Sequence, residues 1–197
     1  MIALTFDDGP FPAYTEELLD LFERYGSRAT FFMVGYNIDN YPDTVREVYR
    51  RGFQVANHTV SHEYLNKISL DKAKKEVHDN VAKLRALGIE GSVYLRPPYG
   101  EYNKDIAAMV ETPMIGWDVD SEDWKTKDRI KVYEMIMNTA KDGDIVLCHD
   151  IYQCTVEAMQ YCVPQLIEKG FQLVTVEEMF RAKGIEPKDG TYYRYIR

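Results

Sequence analysis

Short apolar runs alternate with longer amphipathic segments along the chain, and this alternation constrains the fold more than any other feature of the sequence. Seven runs have the length and composition of β-strands. They are Met1–Thr5, Ala29–Val34, Gln54–Asn57, Val93–Arg96, Met114–Trp117, Asp144–Cys148 and Gln172–Val174. Helices are predicted between them, at Thr15–Tyr25, Asp71–Leu87, Asp128–Ala140 and Val156–Lys169. Strands that alternate with helices are typical of a sheet with crossover helices, so the sequence predicts an α/β fold.

The length of the chain predicts one domain. With 197 residues and a hydrophobic content of 45%, the chain can bury one sizeable core and needs no second one. We therefore expect a single domain over residues 1–197. Seven predicted strands, rather than the eight of a regular α/β barrel, indicate an irregular barrel. The polar and tyrosine-rich segment Glu186–Arg197 is predicted to be a C-terminal tail, ordered only if it packs back on the body.

The acidic composition argues against two classes of partner. A net charge of -8 would repel the phosphates of nucleic acids and of anionic membrane surfaces, and it favours neutral or cationic substrates. No run of about eighteen apolar residues is present, so no membrane span is expected. Met1 opens directly into the first predicted strand, without a charged and apolar leader. We expect a monomer, and a cytoplasmic location unless a leader has been removed.

Two histidines stand four residues apart in the segment His58-Thr59-Val60-Ser61-His62. On one helical turn their imidazoles would point the same way and could hold one metal ion. Such pairs are also common without a metal, so the wider context has to decide. The chain has only four histidines, and His58, His62 and His149 all follow strand-like runs. His78 lies inside a predicted helix, and we expect no role for it in the site.

A pair of carboxylates follows the first predicted strand. Asp7 and Asp8 precede Gly9, and an Asp-Asp-Gly triplet alone is usually a turn. Two histidines and one carboxylate, however, make a zinc triad that leaves a coordination position open for water.

Most of the chemically suggestive residues follow the C-terminal end of a predicted strand. In barrel-like α/β folds the active site is built at that edge, so we expect these residues to converge from remote positions in the sequence. They are Asp7 and Asp8 after the first strand, His58 and His62 after the third, Arg96 at the fourth, Asp120 and Asp123 after the fifth, and His149 after the sixth.

Five motifs follow one another along the chain. They are Thr5-Phe6-Asp7-Asp8-Gly9, His58-Thr59-Val60-Ser61-His62, Arg96-Pro97-Pro98-Tyr99-Gly100, Asp120-Ser121-Glu122-Asp123-Trp124 and Leu147-Cys148-His149. Together they resemble the polysaccharide deacetylase family, which is also called carbohydrate esterase family 4 or the NodB homology domain. The resemblance extends from the first strand to about Val176, and five motifs in order are far more specific than any one of them.

The resemblance implies a deformed (β/α) barrel with a groove for a polymer and a divalent metal at its centre. The metal would be Zn²⁺, with Co²⁺ as the alternative. Carried over by residue, Asp8, His58 and His62 would be the metal ligands. Asp7 would be the general base for the attacking water. Successive side chains near a strand end point in different directions, so only one of the two carboxylates can face the metal.

The third motif supplies two further candidates. By resemblance, the backbone N–H of Tyr99 would donate to the oxyanion that develops on the acetyl carbonyl. The two prolines before it stiffen the loop, because each ring fixes its own φ. Arg96 is expected to pair with Asp7 and to lower the pKa of that carboxyl, as a neighbouring cation does. The alternative for Arg96 is an ordinary surface arginine.

The departing nitrogen or oxygen needs a proton, and His149 is the residue suited to give it near neutral pH. The resemblance implies Asp123 as the carboxylate that keeps His149 protonated, although Asp118 and Asp120 are close enough in sequence to be alternatives. Trp124 and Leu147 would line the acetyl pocket or the sugar face. For Trp124 the alternative is packing in the core.

The resemblance implies a metal-dependent hydrolase whose partner is an acetylated polysaccharide. The first hypothesis is removal of N-acetyl groups from N-acetylglucosamine in peptidoglycan or a chitin-like glycan. Acetylxylan esterase activity is the alternative, because the motifs do not separate amide from ester hydrolysis. A non-catalytic sugar-binding protein is a further alternative, since fold does not fix function. If a leader has been removed, the resemblance implies an extracellular or wall-associated location.

Overall fold

The computed structural model describes residues 1–197 and contains seven short strands and nine α-helices. The strands are β1 (Ala3–Asp7), β2 (Thr30–Met33), β3 (Gln54–Asn57), β4 (Met114–Ile115), β5 (Val119–Asp120), β6 (Ile145–His149) and β7 (Tyr192–Tyr193). The helices are α1 (Pro12–Arg24), α2 (Gly35–Asn40), α3 (Pro42–Arg50), α4 (Leu70–Ala86), α5 (Lys104–Met109), α6 (Asp123–Thr126), α7 (Arg129–Thr139), α8 (Gln153–Glu168) and α9 (Val176–Lys183).

The strands form a parallel sheet that curves into a deformed barrel. Five strands pair in the order β3-β2-β1-β6-β5, and β4 pairs with β7 in a second, two-stranded sheet. Single parallel bridges at Leu95 join the two sheets, one to Asn57 of β3 and one to Met114 of β4. Because β4 and β5 follow each other in the chain, the ring closes through residues 116–118. The predicted α/β fold is confirmed.

Two predicted strands are reduced to single bridges. The segment Val93–Arg96 pairs only at Leu95, and Gln172–Val174 pairs only at Leu173, which bridges to Ile2. The first cannot extend its ladder because Pro97 and Pro98 follow it and have no N–H to donate. The second ends where Thr175 caps α9, with its side chain accepting a hydrogen bond from the N–H of Glu178.

The predicted strand Met114–Trp117 is interrupted after two residues. The carbonyl oxygens of Ile115 and Gly116 accept hydrogen bonds from the side chain of Arg96. The chain then resumes its extended path as β5, which pairs with β6 and was not predicted as a separate strand.

The C-terminal segment packs back on the body. Its strand β7 pairs in parallel with β4, Ile196 is buried, and the guanidinium of Arg197 forms an ion pair with the buried carboxylate of Asp144. The phenol of Tyr192 lies directly over Gly116, where a Cβ atom would overlap it. The tail was predicted to be ordered only if it packs back on the body. It does so, through the pairing of β7 with β4 and through buried contacts.

The predicted helices bury the faces that their sequence pattern indicates. In α1 the side chains of Leu18, Leu19, Leu21 and Phe22 are all buried in the main hydrophobic core, which also takes residues from β1, β2, α7 and α8. Pro12 occupies the first turn, where its missing N–H is not needed. None of the helices is both long enough and apolar enough to cross a membrane.

The contact between Gly116 and Tyr192 predicts that a side chain at position 116 destabilises the protein mainly when Tyr192 is present. Gly116→Ala should lower the free energy of unfolding by about 1–3 kcal/mol, because the added methyl group overlaps the phenol ring. In a Tyr192→Leu background, which lacks the overlapping atoms, the same substitution should cost much less. Urea unfolding of the four proteins in this double-mutant cycle measures the difference. An equal cost in both backgrounds would contradict the assigned contact.

Candidate active site

The carboxyl ends of the parallel strands bring the predicted residues to one edge of the barrel. Asp7 of β1 and His149 of β6 are register partners, and His58 directly follows β3. They open into a cleft of about 490 Å³. The cleft is lined by Asp7, Asp8, His58, His62, Tyr64, Tyr99, Trp117, Asp120, Trp124, Leu147, His149 and Tyr152. The structure thus confirms that these residues converge from remote positions in the sequence. His78, for which no role in the site was expected, is exposed on α4 and lies outside the cleft.

Asp8, His58 and His62 form a compact set of three possible metal ligands. The Nε2 atoms of the two histidines lie 3.1 Å apart. The Oδ1 atom of Asp8 lies 3.5 Å from Nε2 of His58 and 3.4 Å from Nε2 of His62. One ligand atom from each residue therefore faces a common point.

The surroundings of these three residues fit a divalent cation. The Nδ1 atom of His58 lies 2.8 Å from the carbonyl oxygen of Arg96, so Nδ1–H donates there and Nε2 keeps its lone pair for a metal. Burial lowers the pKa of His58 to about 3, so its ring is neutral. The Oδ1 atom of Asp8 is buried and has no hydrogen-bond donor. A buried carboxylate oxygen without a donor, next to two imidazole nitrogens, is a donor set suited to Zn²⁺.

The prediction that His58 and His62 share one helical turn is wrong. They lie in a loop after β3, in which Thr59 has a φ of 67° and His62 a φ of 59°. The loop is held by hydrogen bonds from the N–H of Thr59 to Oδ1 of Asn57 and from the N–H of Ser61 to a carboxylate oxygen of Glu76 on α4. The two left-handed residues, rather than helical periodicity, bring the two imidazoles together.

Arg96 is fully buried and holds Asp7 in the floor of the cleft, so the alternative of a surface arginine is wrong. Its Nη1 atom donates to Oδ1 of Asp7 at 2.6 Å and to Oγ1 of Thr5 at 2.8 Å. The guanidinium also stacks on Phe32, with its carbon 4.0 Å from the ring centroid. The free Oδ2 atom of Asp7 lies 3.5 Å from Nε2 of His58, next to the ligand set.

The pKa of Asp7 differs from the expected direction. Burial raises the pKa of this carboxyl above its ordinary value, and the adjacent Arg96 lowers it only in part. The expectation of a lowered pKa is therefore wrong for the net shift in the metal-free chain, because loss of hydration outweighs the ion pair. A raised pKa makes the Asp7 carboxylate a stronger base than an exposed aspartate.

His149 and Asp123 form the second pair of charged groups. The Nδ1 atom of His149 lies 2.7 Å from Oδ1 of Asp123, and Oδ2 of Asp123 accepts from the backbone N–H of His149 and from Oγ1 of Thr155. Burial lowers the pKa of His149, but the hydrogen bond and charge of Asp123, with the nearby Asp7 and Asp8, together raise it to about 9. Nδ1 is thus occupied, and the second ring nitrogen is left for the cleft.

The two alternative partners of His149 are engaged elsewhere. Asp118 pairs with Arg197, and Asp120 accepts hydrogen bonds from the backbone N–H of Glu122 and from the indole of Trp124. Asp123 is therefore the carboxylate that contacts His149.

Tyr99 combines a free amide with a left-handed backbone. Its φ is 62°, and its N–H donates no hydrogen bond within the chain. The phenol ring stacks on Tyr64 at 3.8 Å and meets the edge of the His62 ring at 4.6 Å. The N–H of Tyr99, a residue that lines the cleft, is consequently free to donate.

The remaining predicted residues form the walls of the cleft. Trp124 is 49% exposed, so it is not a core residue, and Leu147 is buried at the base of the cleft beside β5. Sequence reasoning missed three aromatic wall residues, Tyr64, Trp117 and Tyr152. Each stands at or within three residues of a predicted site residue or strand end, which is the signal that could have identified them.

Comparison with known proteins gives a consistent result. Residues 1–113 match the family model described as polysaccharide deacetylase. The chain is 37% identical to the peptidoglycan-N-acetylmuramic acid deacetylase PdaC of Bacillus subtilis, over 93% of this chain and 39% of PdaC. It is 35% identical to a peptidoglycan-N-acetylglucosamine deacetylase of Bacillus cereus, over 93% of this chain and 89% of that protein. The chain thus spans about two fifths of the length of PdaC, but most of the second relative.

Solved structures share the fold closely. The structure of the PdaC deacetylase superposes with a TM-score of 0.90 at 37% identity, covering 93% of this chain and 91% of that one. A family 4 acetyl xylan esterase from Clostridium thermocellum, in complex with a cobalt ion, superposes with a TM-score of 0.91 at 29% identity. That match covers 99% of this chain and 98% of the esterase.

The ligand set predicts that one histidine is required for metal binding. His58→Ala should weaken binding of one Zn²⁺ per chain on the order of a hundredfold or more, because one of three ligands is lost. His78→Ala, which removes an exposed histidine from α4, should bind Zn²⁺ as the unmodified chain does. Metal content after dialysis against a weak chelator measures both. Retention of one Zn²⁺ by His58→Ala would refute the assignment.

The ion pair of His149 predicts a pH-dependent stability in the metal-free protein. The pKa of His149 rises from 6.5 to about 9 on folding, so its contribution is fully present below pH 6.5 and is lost as the pH rises through 9. The loss should reach up to about 3 kcal/mol. Urea unfolding between pH 6 and pH 10 measures it, with His149→Gln as the control. The two proteins should differ in their pH dependence over this range, and identical profiles would contradict the raised pKa.

Proposed function

Because this chain belongs to the polysaccharide deacetylase family, we propose that it is a metal-dependent hydrolase that removes acetyl groups from a polysaccharide. One observation carries the proposal. A base paired with a buried arginine and a protonated histidine paired with a buried aspartate share one cleft with a three-residue ligand set. Metal-assisted hydrolysis of an acetyl group uses these three elements together, to activate the water, to take its proton and to protonate the leaving group.

Asp8, His58 and His62 would hold the metal ion, for which we propose Zn²⁺, with Co²⁺ as an alternative. One carboxylate and two imidazoles are a donor set that Zn²⁺ accepts while keeping a position open for catalysis. Co²⁺ binds the same kinds of ligand. When bound, the ion would polarise the acetyl carbonyl and acidify the attacking water.

Asp7 is positioned to take the proton of the attacking water. Its Oδ1 atom is held by Arg96, while Oδ2 points toward His58 and is free to accept a proton. Because Arg96 is itself fixed by four hydrogen bonds to Asp7, Thr5, Ile115 and Gly116, the carboxylate has little freedom to turn away. A positioned base of this kind contributes on the order of a hundredfold or more to the rate.

His149 and Tyr99 are positioned to act on the leaving-group atom and on the carbonyl oxygen, the two other atoms whose charge changes in the reaction. With a pKa of about 9, His149 carries its proton at neutral pH and can donate it to the departing nitrogen or oxygen. The N–H of Tyr99 can donate to the carbonyl oxygen as negative charge develops on it. Both groups are backed by fixed partners, Asp123 for the imidazole and the stacked Tyr64 for the tyrosine.

For the substrate we propose the N-acetyl groups of N-acetylglucosamine in peptidoglycan or a chitin-like glycan. The aromatic walls of the cleft suit pyranose rings, since a ring face packs on an aromatic face. Relatives named peptidoglycan deacetylases support an amide substrate, and we propose action at the cell wall on that basis. Acetylxylan esterase activity is the second candidate, supported by the likeness to the xylan esterase of Clostridium thermocellum. A non-catalytic sugar-binding role is less well supported, because both the base and the acid are present.

The test is release of acetate after chelation and addition of Zn²⁺ or Co²⁺. Chitooligosaccharide, peptidoglycan glycan and acetylated xylan should be compared, and we expect metal-restored release from an N-acetylated substrate. Asp7→Asn, which is close in shape, should still bind the metal while turnover falls on the order of a hundredfold or more. Preference for acetylated xylan would select the esterase. Absence of acetate release from all three substrates would contradict the proposed function. Undiminished turnover by Asp7→Asn would contradict the assignment of Asp7 as the base.

A further inference from the structure

Tyr64, a wall residue of the cleft on the side of His62, carries a lysine on its outer face. The Nζ atom of Lys67 lies 3.7 Å from the centroid of the Tyr64 ring. The other face of that ring is stacked on Tyr99, at a centroid distance of 3.8 Å and an interplanar angle of 10°. The ammonium of Lys67 is therefore held by a cation–π contact against a residue that lines the cleft.

Tyr152 repeats this arrangement on the side of His149. The ring of Tyr152 lies 5.6 Å from the His149 ring, and Nζ of Lys127 lies 2.8 Å from the Tyr152 centroid. Tyr152 and Lys127 also line an adjoining groove of about 690 Å³, which shares Tyr152 with the cleft. Tyr152 therefore stands between the cleft and a second groove, and Lys127 lies on the side of that groove.

Neither of these two lysines has a carboxylate oxygen within 4.0 Å of its ammonium. Neither Lys67 nor Lys127 forms an ion pair, whereas the neighbouring Lys125 pairs with Glu122 at 3.1 Å. In a chain with a net charge of -8, which favours neutral or cationic ligands overall, two unpaired cations beside the cleft are a local exception. Their charge suits anionic groups that lie to either side of the reacting acetyl group.

We propose that Lys67 and Lys127 are two subsites for carboxylate groups, and that the substrate is a glycan with carboxylates on the sugars that flank the acetylated one. The inference rests on the proposed function and specifies its substrate. In a polymer of alternating sugars, a neutral acetylated unit at the centre has a carboxylate-bearing unit on each side. The free lactyl carboxylates of peptidoglycan glycan strands without stem peptides meet this requirement, and chitin and xylan backbones carry no lactyl group.

The expected effect is moderate and sensitive to salt. Exposed ion pairs contribute little each, so loss of one lysine should raise KM for an anionic glycan by about threefold, and loss of both by about tenfold. Added salt should reduce the preference of the unmodified enzyme for the anionic glycan, because these charges are exposed to solvent. The turnover number should change little, because neither lysine contacts the reacting atoms.

The experiment compares three oligosaccharides of equal length. The first is the peptidoglycan tetrasaccharide with free lactyl carboxylates, the second is the same compound with those carboxylates converted to amides, and the third is chitotetraose. The amide retains the shape of the lactyl group without its charge. Acetate release gives KM and kcat for each with the zinc-loaded enzyme, and calorimetry gives their affinities for the Asp7→Asn variant.

Lys67→Gln, Lys127→Gln and the double variant are compared with Lys125→Gln, which makes the same change in net charge at a paired lysine on α6. We expect a loss of preference for the carboxylate form in the first three and no loss in the control. Equal effects on all three oligosaccharides, or an equal effect of Lys125→Gln, would overturn the proposal. If no variant or substrate released acetate while the preference in binding persisted, the proposed function would fail and the two carboxylate subsites would stand.

Discussion

Arg96 is a fully buried cation on which the geometry of the site depends. Its guanidinium donates to the carboxylate of Asp7 and to the carbonyl oxygens of Ile115 and Gly116, while its own carbonyl oxygen accepts from Nδ1 of His58. A buried charge is stable only when it is paired and hydrogen-bonded, and removal of one partner typically costs about 3–5 kcal/mol. The same residue therefore fixes the carboxylate of Asp7, orients the ring of His58 and contacts the carbonyl oxygens at the end of β4.

The backbone of the site is held in conformations that L-amino acids rarely adopt. Asp8, Thr59, His62 and Tyr99 all have positive φ, between 59° and 71°. Each such residue costs of order 1–3 kcal/mol and persists only where the surroundings determine it. Here the surroundings are specific. The side chain of Asn37, for example, donates to the carbonyl oxygen of Asp8. Three of these residues, Asp8, His62 and Tyr99, line the same cleft.

Much of the fold and most of the site could be predicted from sequence, because parallel strands place their carboxyl ends at one edge. The positions of Asp7, His58 and His149 after apolar runs were enough to predict that they meet. The local backbone conformation at these residues could not be predicted as well from the sequence. Helical spacing suggested one turn for His58 and His62, but hydrogen bonds from the backbone of Thr59 and Ser61 to the side chains of Asn57 and Glu76 hold a loop there instead. Spacing of four residues does not distinguish these two arrangements.

The sequence by itself determined the alternation of strands and helices and the kinds of side chain available at the strand ends, which are imidazoles, carboxylates and one guanidinium. Only the tertiary structure decided that Asp123, rather than Asp118 or Asp120, contacts His149, and that burial outweighs Arg96 in setting the pKa of Asp7. The reason is physical. Hydrophobic periodicity and residue type are local properties of a chain, whereas hydration, ion pairing and the facing of one ring on another exist only after remote segments have packed together.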